Sequence, residues 1–313
     1  MSSLPPSSST NNNIFDKIWQ ADENRLTPFS SKPTQFVSPF ITLVCSTQRK
    51  KQNPNFNLFR LYKFDSTKKQ YVLSSVREFI TEASSTTSYK TYALIYKLFD
   101  NYNLDQLDRE ENTPLEESEI SNFLDSILET KCMKVLAQDY LKMTKKEVKK
   151  KLYEIWFTQY DLGKNRDLSG FEHCVVGEKN GSNVSGYHFW FKYLVDDSND
   201  NFTGQDMINF VGRLDKETTP DYVCIRFKQE EEKDNTHHGN ENEQPLFKSC
   251  GSFWVGISPE CFMALCTVAH LEHLKGHQKL LSNVVVNGNS YVVNVFSEGG
   301  YPRSVYPALN ESV

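Results

Sequence analysis

Apolar residues recur along this chain with two different periods. In the first half the period is helical. Ile120, Phe123, Leu124, Ile127 and Leu128 fall at i, i+3, i+4, i+7 and i+8, the stripe that one face of a helix buries. Thr113-Pro114-Leu115-Glu116 marks the start of that helix, with a capping Thr, Pro at the first helical position and Glu placed to close a capping box. Thr144 to Glu147 repeats the box ahead of Val148, Leu152, Ile155 and Trp156. Residues 14–26 and 79–104 read as further helices, the second carrying Tyr92, Ile95, Tyr96 and Phe99 on one side.

In the second half the period shortens. Residues 172–178, 184–194, 222–228, 252–257, 283–287 and 291–296 are β-rich runs, and Asn287-Gly288 between the last two reads as a hairpin turn. One helix interrupts them, capped at Ser258-Pro259-Glu260 and buried through Phe262, Leu265 and Val268. The pattern predicts an α+β protein, with a helical region over 14–160 packed on an antiparallel region over 161–313. YDLGKNRDL, at 160–168, breaks the helical text between them.

Composition adds three points. The chain has 35 Lys and Arg against 40 Asp and Glu, a net charge of −5. The stretch 229–244, QEEEKDNTHHGNENEQ, holds six acids and one base and carries that whole charge, so the remaining body is electrically neutral. Such a stretch buries no apolar surface and reads as a solvated loop. Residues 1–13 are mostly Ser, Pro and Asn and read as a disordered tail. They lack the basic and apolar blocks of a secretory leader, and no apolar run reaches the ~18 residues of a membrane span. The expected protein is therefore cytoplasmic, makes no membrane contact and is a monomer. Its seven Cys, with no C-x-x-C pair, read as buried free thiols of a reducing compartment.

The segment SGFEHCVVGEKNGSNVSGYHFWF, 169–191, carries the candidate chemistry. Asn-Gly is the strongest short hairpin signal. With Asn180 and Gly181 as the two turn residues, strand pairing sets His173 directly opposite His188, Cβ atoms about 4.5–5.5 Å apart. A longer turn leaves them diagonal on the same face. Two imidazoles facing one group suit acid–base work, because the ordinary imidazole pKa lies near neutrality. Gly170, Gly177 and Gly186 permit close approach of backbone or ligand, and the carboxylates of Glu172 and Glu178 bracket the first histidine.

Ser169-Gly170-Phe171-Glu172-His173, Val176-Gly177-Glu178 and Ser185-Gly186-Tyr187-His188 resemble the signature of the EndoU (XendoU-type, poly(U)-specific) endoribonuclease family. Tyr187 stands where the family usually has Phe, and Phe189 where many members have Asn. Further matches run in order along the chain. They are Trp19 through Leu26, Phe123-Leu124-Asp125 with Ile155-Trp156-Phe157, Phe247-Lys248-Ser249-Cys250-Gly251-Ser252 with Val255 through Glu260, and Arg303-Ser304-Val305-Tyr306-Pro307.

The resemblance implies a site of His173, His188 and Lys248 that cuts single-stranded RNA at uridylates, leaving 2′,3′-cyclic phosphate and 5′-hydroxyl ends. His188 would be the base that takes the ribose 2′-OH proton and His173 the acid that protonates the leaving oxygen. Lys248 would stabilise the charged transition state. Ser252 and Ser304 would bond the uracil edge, and Tyr306 would stack on the ring. A divalent cation, Mn²⁺ ahead of Ca²⁺, is also implied, with Glu172 and Glu178 as possible oxygen ligands. Two other classes compete: a non-catalytic RNA-binding protein of the same fold, and a metal-dependent phosphoesterase. The latter would use Glu172, Glu178 and the helical histidines His270, His273 and His277, a spacing that could hold Zn²⁺.

Overall fold

The computed structural model describes residues 9–29, 39–43, 57–105, 112–161, 167–198, 207–216, 218–230 and 244–310. Helix α1 (Ser9–Gln20) opens it, starting within the expected tail; residues 1–8 lie outside the described residues. A four-stranded sheet follows, in the order β1 (Pro28–Phe29), β2 (Phe40–Leu43), β3 (Phe59–Asp65), β4 (Gln70–Leu73). This sheet corrects the all-helical reading of the first half. Its signal was faint: on β3 the buried Phe59 and Leu61 flank the exposed Arg60, an alternation only three residues long.

The helix expected over 79–104 is broken into α2 (Val76–Ser85) and α3 (Lys90–Lys97). Ser84 and Ser85 turn their hydroxyls back onto the carbonyls of Ile80 and Glu82, competing with the helix ladder. Tyr89 then adopts a left-handed φ of 60°. The helices α4 (Pro114–Ile127), α5 (Lys131–Val135) and α6 (Lys145–Trp156) complete the first half. Both expected capping boxes form, at Thr113/Glu116 and Thr144/Glu147. At 160–168 a two-stranded ribbon, β5 (Tyr160–Asp161) and β6 (Asp167–Leu168), replaces the helical text.

The second half holds a five-stranded sheet, ordered β7 (Glu178–Asn180), β8 (Asn183–Ser185), β11 (Leu246–Trp254), β10 (Tyr222–Gln229), β9 (Ile208–Arg213). Its pairs are antiparallel except β8 with β11. Helices α7 (Trp190–Asp196), α8 (Pro259–Leu274) and α9 (Gln278–Leu281) and the antiparallel sheet β12 (Val284–Val286), β13 (Asn289–Glu298), β14 (Tyr301–Leu309) complete the chain. The α+β class is borne out. Gln229 pairs with Leu246, so the acidic stretch leaves the end of the β10–β11 hairpin; residues 231–243 lie outside the described residues.

One buried cluster joins both halves, from Phe123, Leu152 and Trp156 to Phe171, Phe191 and Val268. The Trp19-to-Leu26 element clamps the second half. The Arg25 guanidinium lies 3.9 Å from the Trp19 ring centroid and donates to Asp221 at 2.6 Å. Asp22 accepts from the Ser258 amide, and the Leu26 amide donates to the Gly256 carbonyl. This motif is structural: it fixes the start of α8 and the end of β11.

Candidate active site

His173 does not lie on a strand. Residues Glu172–Val176 form one wide helical turn, closed by the Gly177 amide donating to the Glu172 carbonyl at 2.8 Å. The Ser169 hydroxyl accepts from the Glu172 amide, and Glu172 Oε2 accepts from the Ser169 amide, each at 3.1 Å. Ser169 and Glu172 thus form a capping box, the hydroxyl-x-x-Glu device that begins α4 and α6 with Thr in place of Ser. Phe171 anchors the turn against Tyr102, Phe123 and Phe157. The role of Glu172 here is to hold the turn that carries His173.

The hairpin register also differs from expectation. Asn180 pairs with Asn183, so the turn residues are Gly181 and Ser182. Gly181 takes a φ of 61°, the positive value a type II′ turn requires at its first position. The run expected as a strand over 184–194 leaves β8 after Ser185 and becomes α7 from Trp190. Phe189 between them is fully buried and packs on Phe262 at 4.8 Å, a core position.

The two histidines nevertheless meet, through backbone rather than strand pairing. The Tyr187 amide donates to the His173 carbonyl at 2.9 Å and the His188 amide to the Cys174 carbonyl at 2.7 Å. Gly186 makes this possible. Its φ is 66°, and a Cβ there would sit 1.8 Å from the His173 carbonyl oxygen. Its own carbonyl accepts from Lys248 Nζ at 2.5 Å. Lys248 reaches it from β11, whose neighbour Phe247 pairs with Asn183 of β8. One glycine therefore touches two members of the expected triad, His173 and Lys248, and stands two residues before the third, His188.

Strand β14 packs on both the 172–176 turn and β11 and brings Ser304 and Tyr306. His188 Nε2 lies 2.9 Å from Ser304 Oγ, and its ring stacks on Tyr306 with centroids 4.4 Å apart. The Ser304 hydroxyl, expected on a uracil, is thus already in contact with an imidazole; it retains a further hydrogen-bonding direction. Ser252 is buried on β11, and its backbone faces the His188 ring. The stack continues from Tyr306 to Phe296, centroids 6.4 Å apart, and Phe296 is 56% exposed.

Electrostatics separate the two rings. Burial pushes His188 well below the ordinary imidazole pKa, and the nearby Lys248 and His173 push it further. Burial also lowers His173, but Glu178 works against it. Glu178 Oε2 lies 3.0 Å from His173 Nδ1, out of line for a hydrogen bond, and 3.4 Å from Arg303 Nη2. Burial brings Lys248 down to about 8. His173, His188 and Lys248 keep 3%, 5% and 7% of their exposure, so only an edge of each is open to a ligand.

The helical histidines do not converge. His270 donates from Nε2 to the Gly300 carbonyl at 3.1 Å, His273 accepts from Gln278, and His277 lies against Glu272. Among the described residues no group of three or more His, Cys, Asp or Glu could hold a metal ion. Glu172 is used in its capping box and Glu178 lies between His173 and Arg303. The divalent cation implied by the resemblance thus finds no ligand set among the described residues. The described helices include none long and apolar enough to cross a membrane.

Sequence reasoning placed no role on Arg303 or Phe296, and it missed the helical turn at His173. The Ser169-x-x-Glu172 spacing was the available signal for the last. Two imidazoles, an ammonium and a stacked aromatic brought together on an α+β scaffold have the equipment of an acid–base enzyme acting on an anionic substrate. The family model for Endoribonuclease XendoU matches residues 11–307, and the chain belongs to that family. It is 31% identical to poly(U)-specific endoribonuclease-A of Xenopus laevis, over 95% of this chain and 92% of that one. It is 28% identical to uridylate-specific endoribonuclease C of Danio rerio, over 96% and 88%. A solved structure described as XendoU, a splicing-independent snoRNA-processing endoribonuclease, superposes with a TM-score of 0.65 at 26% identity, covering 99% of both chains.

Proposed function

We propose that this protein cleaves single-stranded RNA at uridylates by transphosphorylation. The ribose 2′-OH attacks its own phosphate, giving a 2′,3′-cyclic phosphate and a 5′-hydroxyl. His188, kept neutral by burial and by the Lys248 charge, takes the 2′-OH proton. His173 gives a proton to the departing 5′-oxygen, since Glu178 beside it favours the charged imidazolium. Lys248 meets the negative charge that builds on the non-bridging oxygens. Tyr306 offers a face to the uracil or its sugar, Ser252 and Ser304 offer hydroxyls to its edge, and the exposed Phe296 offers a second face to a neighbouring base. The names of the relatives support the uridylate preference.

The observation that carries this reading is the contact of Gly186 with His173, Lys248 and the chain leading to His188. The test is a short uridine-containing oligonucleotide with its product ends identified, run with chelator and with added Mn²⁺ or Ca²⁺. The expected result is cyclic phosphate, lost in His173→Ala and His188→Ala. Binding without product under every ion condition would leave a non-catalytic RNA-binding protein.

A further inference from the structure

The thiols are not all buried. Cys250 is exposed, and its sulfur lies 2.9 Å from that of Cys224 on the neighbouring strand. Ile225 pairs with Gly251 and Phe227 with Lys248, so β11 carries an extra residue opposite Arg226. This bulge swings Cys250 toward Cys224. Both are free cysteines. Their position is what matters: Cys250 stands between Lys248 and Ser252 on β11, and Cys224 pairs directly with Ser252. The hydrogen bond from Cys224 holds the Cys250 thiol below its ordinary pKa, with help from Lys248 and Arg226, and this favours the reactive thiolate.

We propose that Cys224 and Cys250 form a redox-sensitive dithiol, which a hydroperoxide oxidises to a cross-strand disulfide, and that this link slows the chemistry assigned to Lys248. The Cys250 thiolate attacks one peroxide oxygen; an S–O bond forms, the O–O bond breaks, and the other oxygen leaves as an alcohol or water after taking a proton. The Cys224 thiol then attacks the sulfur of the resulting sulfenic acid. An S–S bond forms, the S–O bond breaks, and water departs with the thiol proton. Two thiols lose two electrons and the peroxide gains them. The link draws Cys250 toward β10 together with its neighbours Lys248 and Ser252.

The effect on cleavage rests on the function proposed above, whereas the cross-link itself does not. The reduced full-length chain is treated with hydrogen peroxide, quenched with an alkylating agent and split between peptide mapping and the uridine cleavage assay. The expected result is a peptide joining Cys224 to Cys250, with cleavage slowed about tenfold or more and restored by dithiothreitol. Cys224→Ser and Cys250→Ser should cleave at the wild-type rate before peroxide and resist it afterwards. Absence of the linked peptide overturns the proposal, as does a linked protein that cleaves at full rate or equal inactivation of both Ser variants. A reduced wild-type chain that does not cleave is a failure of the cleavage reading instead, and the linked peptide then decides the dithiol alone.

Discussion

Replacing Glu178 by Gln should shift the alkaline limb of the pH–rate profile, and the direction follows from the site. Glu178 is fully buried, 3.0 Å from His173 Nδ1, and raises the imidazole pKa against burial. An opposite charge at this range is worth ~1–3 pKa units in general. The lower end applies here, because Arg303 also lies against the carboxylate. About one unit is a tenfold change in protonated fraction. As the acid, His173 must be protonated, so kcat/KM falls as pH rises through its pKa. Glu178→Gln lowers that pKa and moves the limb to lower pH; above it the variant should be about tenfold slower than wild type. Arg303→Gln should do the opposite, since Arg303 lowers His173. The Lys248 limb, near pH 8, lies well above both. The assay is kcat/KM for a short uridine oligonucleotide across pH at constant ionic strength, with folding of each variant checked by its thermal midpoint. Limbs that move the same way in both variants, or not at all, would refute the assignment of His173 as acid. Movement of the acidic limb instead would exchange the two histidines.

Three further outcomes are expected. Gly186→Ala should abolish cleavage and lower the thermal midpoint, because its Cβ would meet the His173 carbonyl at 1.8 Å in a left-handed backbone; an active, equally stable variant would show that the contact is dispensable. Burial holds His270 down to about 4, so the unfolded chain takes up its proton first as pH falls. Stability should therefore drop between about pH 6.5 and 4 and then level off, by on the order of 3 kcal/mol from this residue. Denaturant melts of His270→Gln should have a correspondingly shallower acid slope. Thr144→Ala removes the α6 cap and should cost about 1 kcal/mol, with cleavage by the folded enzyme unchanged.

What the sequence disclosed depended on whether local chemistry had one solution. Asn287-Gly288 had one. Both residues take positive φ, 49° and 77°, and Val286 pairs with Asn289, the tight turn that an Asn-Gly step favours. The boxes at Thr113 and Thr144 likewise formed as read. At 180–182 two turns were possible, Asn180-Gly181 or Gly181-Ser182. The second won because it lets β8 pair with β11 at Asn183 and sets Lys248 beside the hairpin. No local signal reports that distant partner. The same limit hid the first sheet, whose short strands are defined mainly by what they pair with.

The histidine pair was found for a reason that proved incomplete. Strand pairing would have set the imidazoles side by side on a pleated surface. The structure instead puts His173 on a capped helical turn and His188 directly after a left-handed excursion at Gly186 and Tyr187, joined by two backbone hydrogen bonds. This arrangement has a chemical consequence that a hairpin lacks. Each ring sits in its own environment, one against a carboxylate and the other against a hydroxyl and an aromatic face. Two identical side chains can then titrate apart, which acid–base catalysis requires. The residues that create the difference are Glu178, Arg303, Ser304 and Tyr306. Three of these, Arg303, Ser304 and Tyr306, come from β14 and touch the Glu178 carboxylate or the His188 ring from 115 or more positions along the chain, so spacing within the histidine segment could not reveal them. The Ser169-x-x-Glu172 box was legible, being the third instance of a pattern already read twice. It was passed over because the β-branched Val175 and Val176 favoured a strand, and the wide turn accommodates both with their side chains buried.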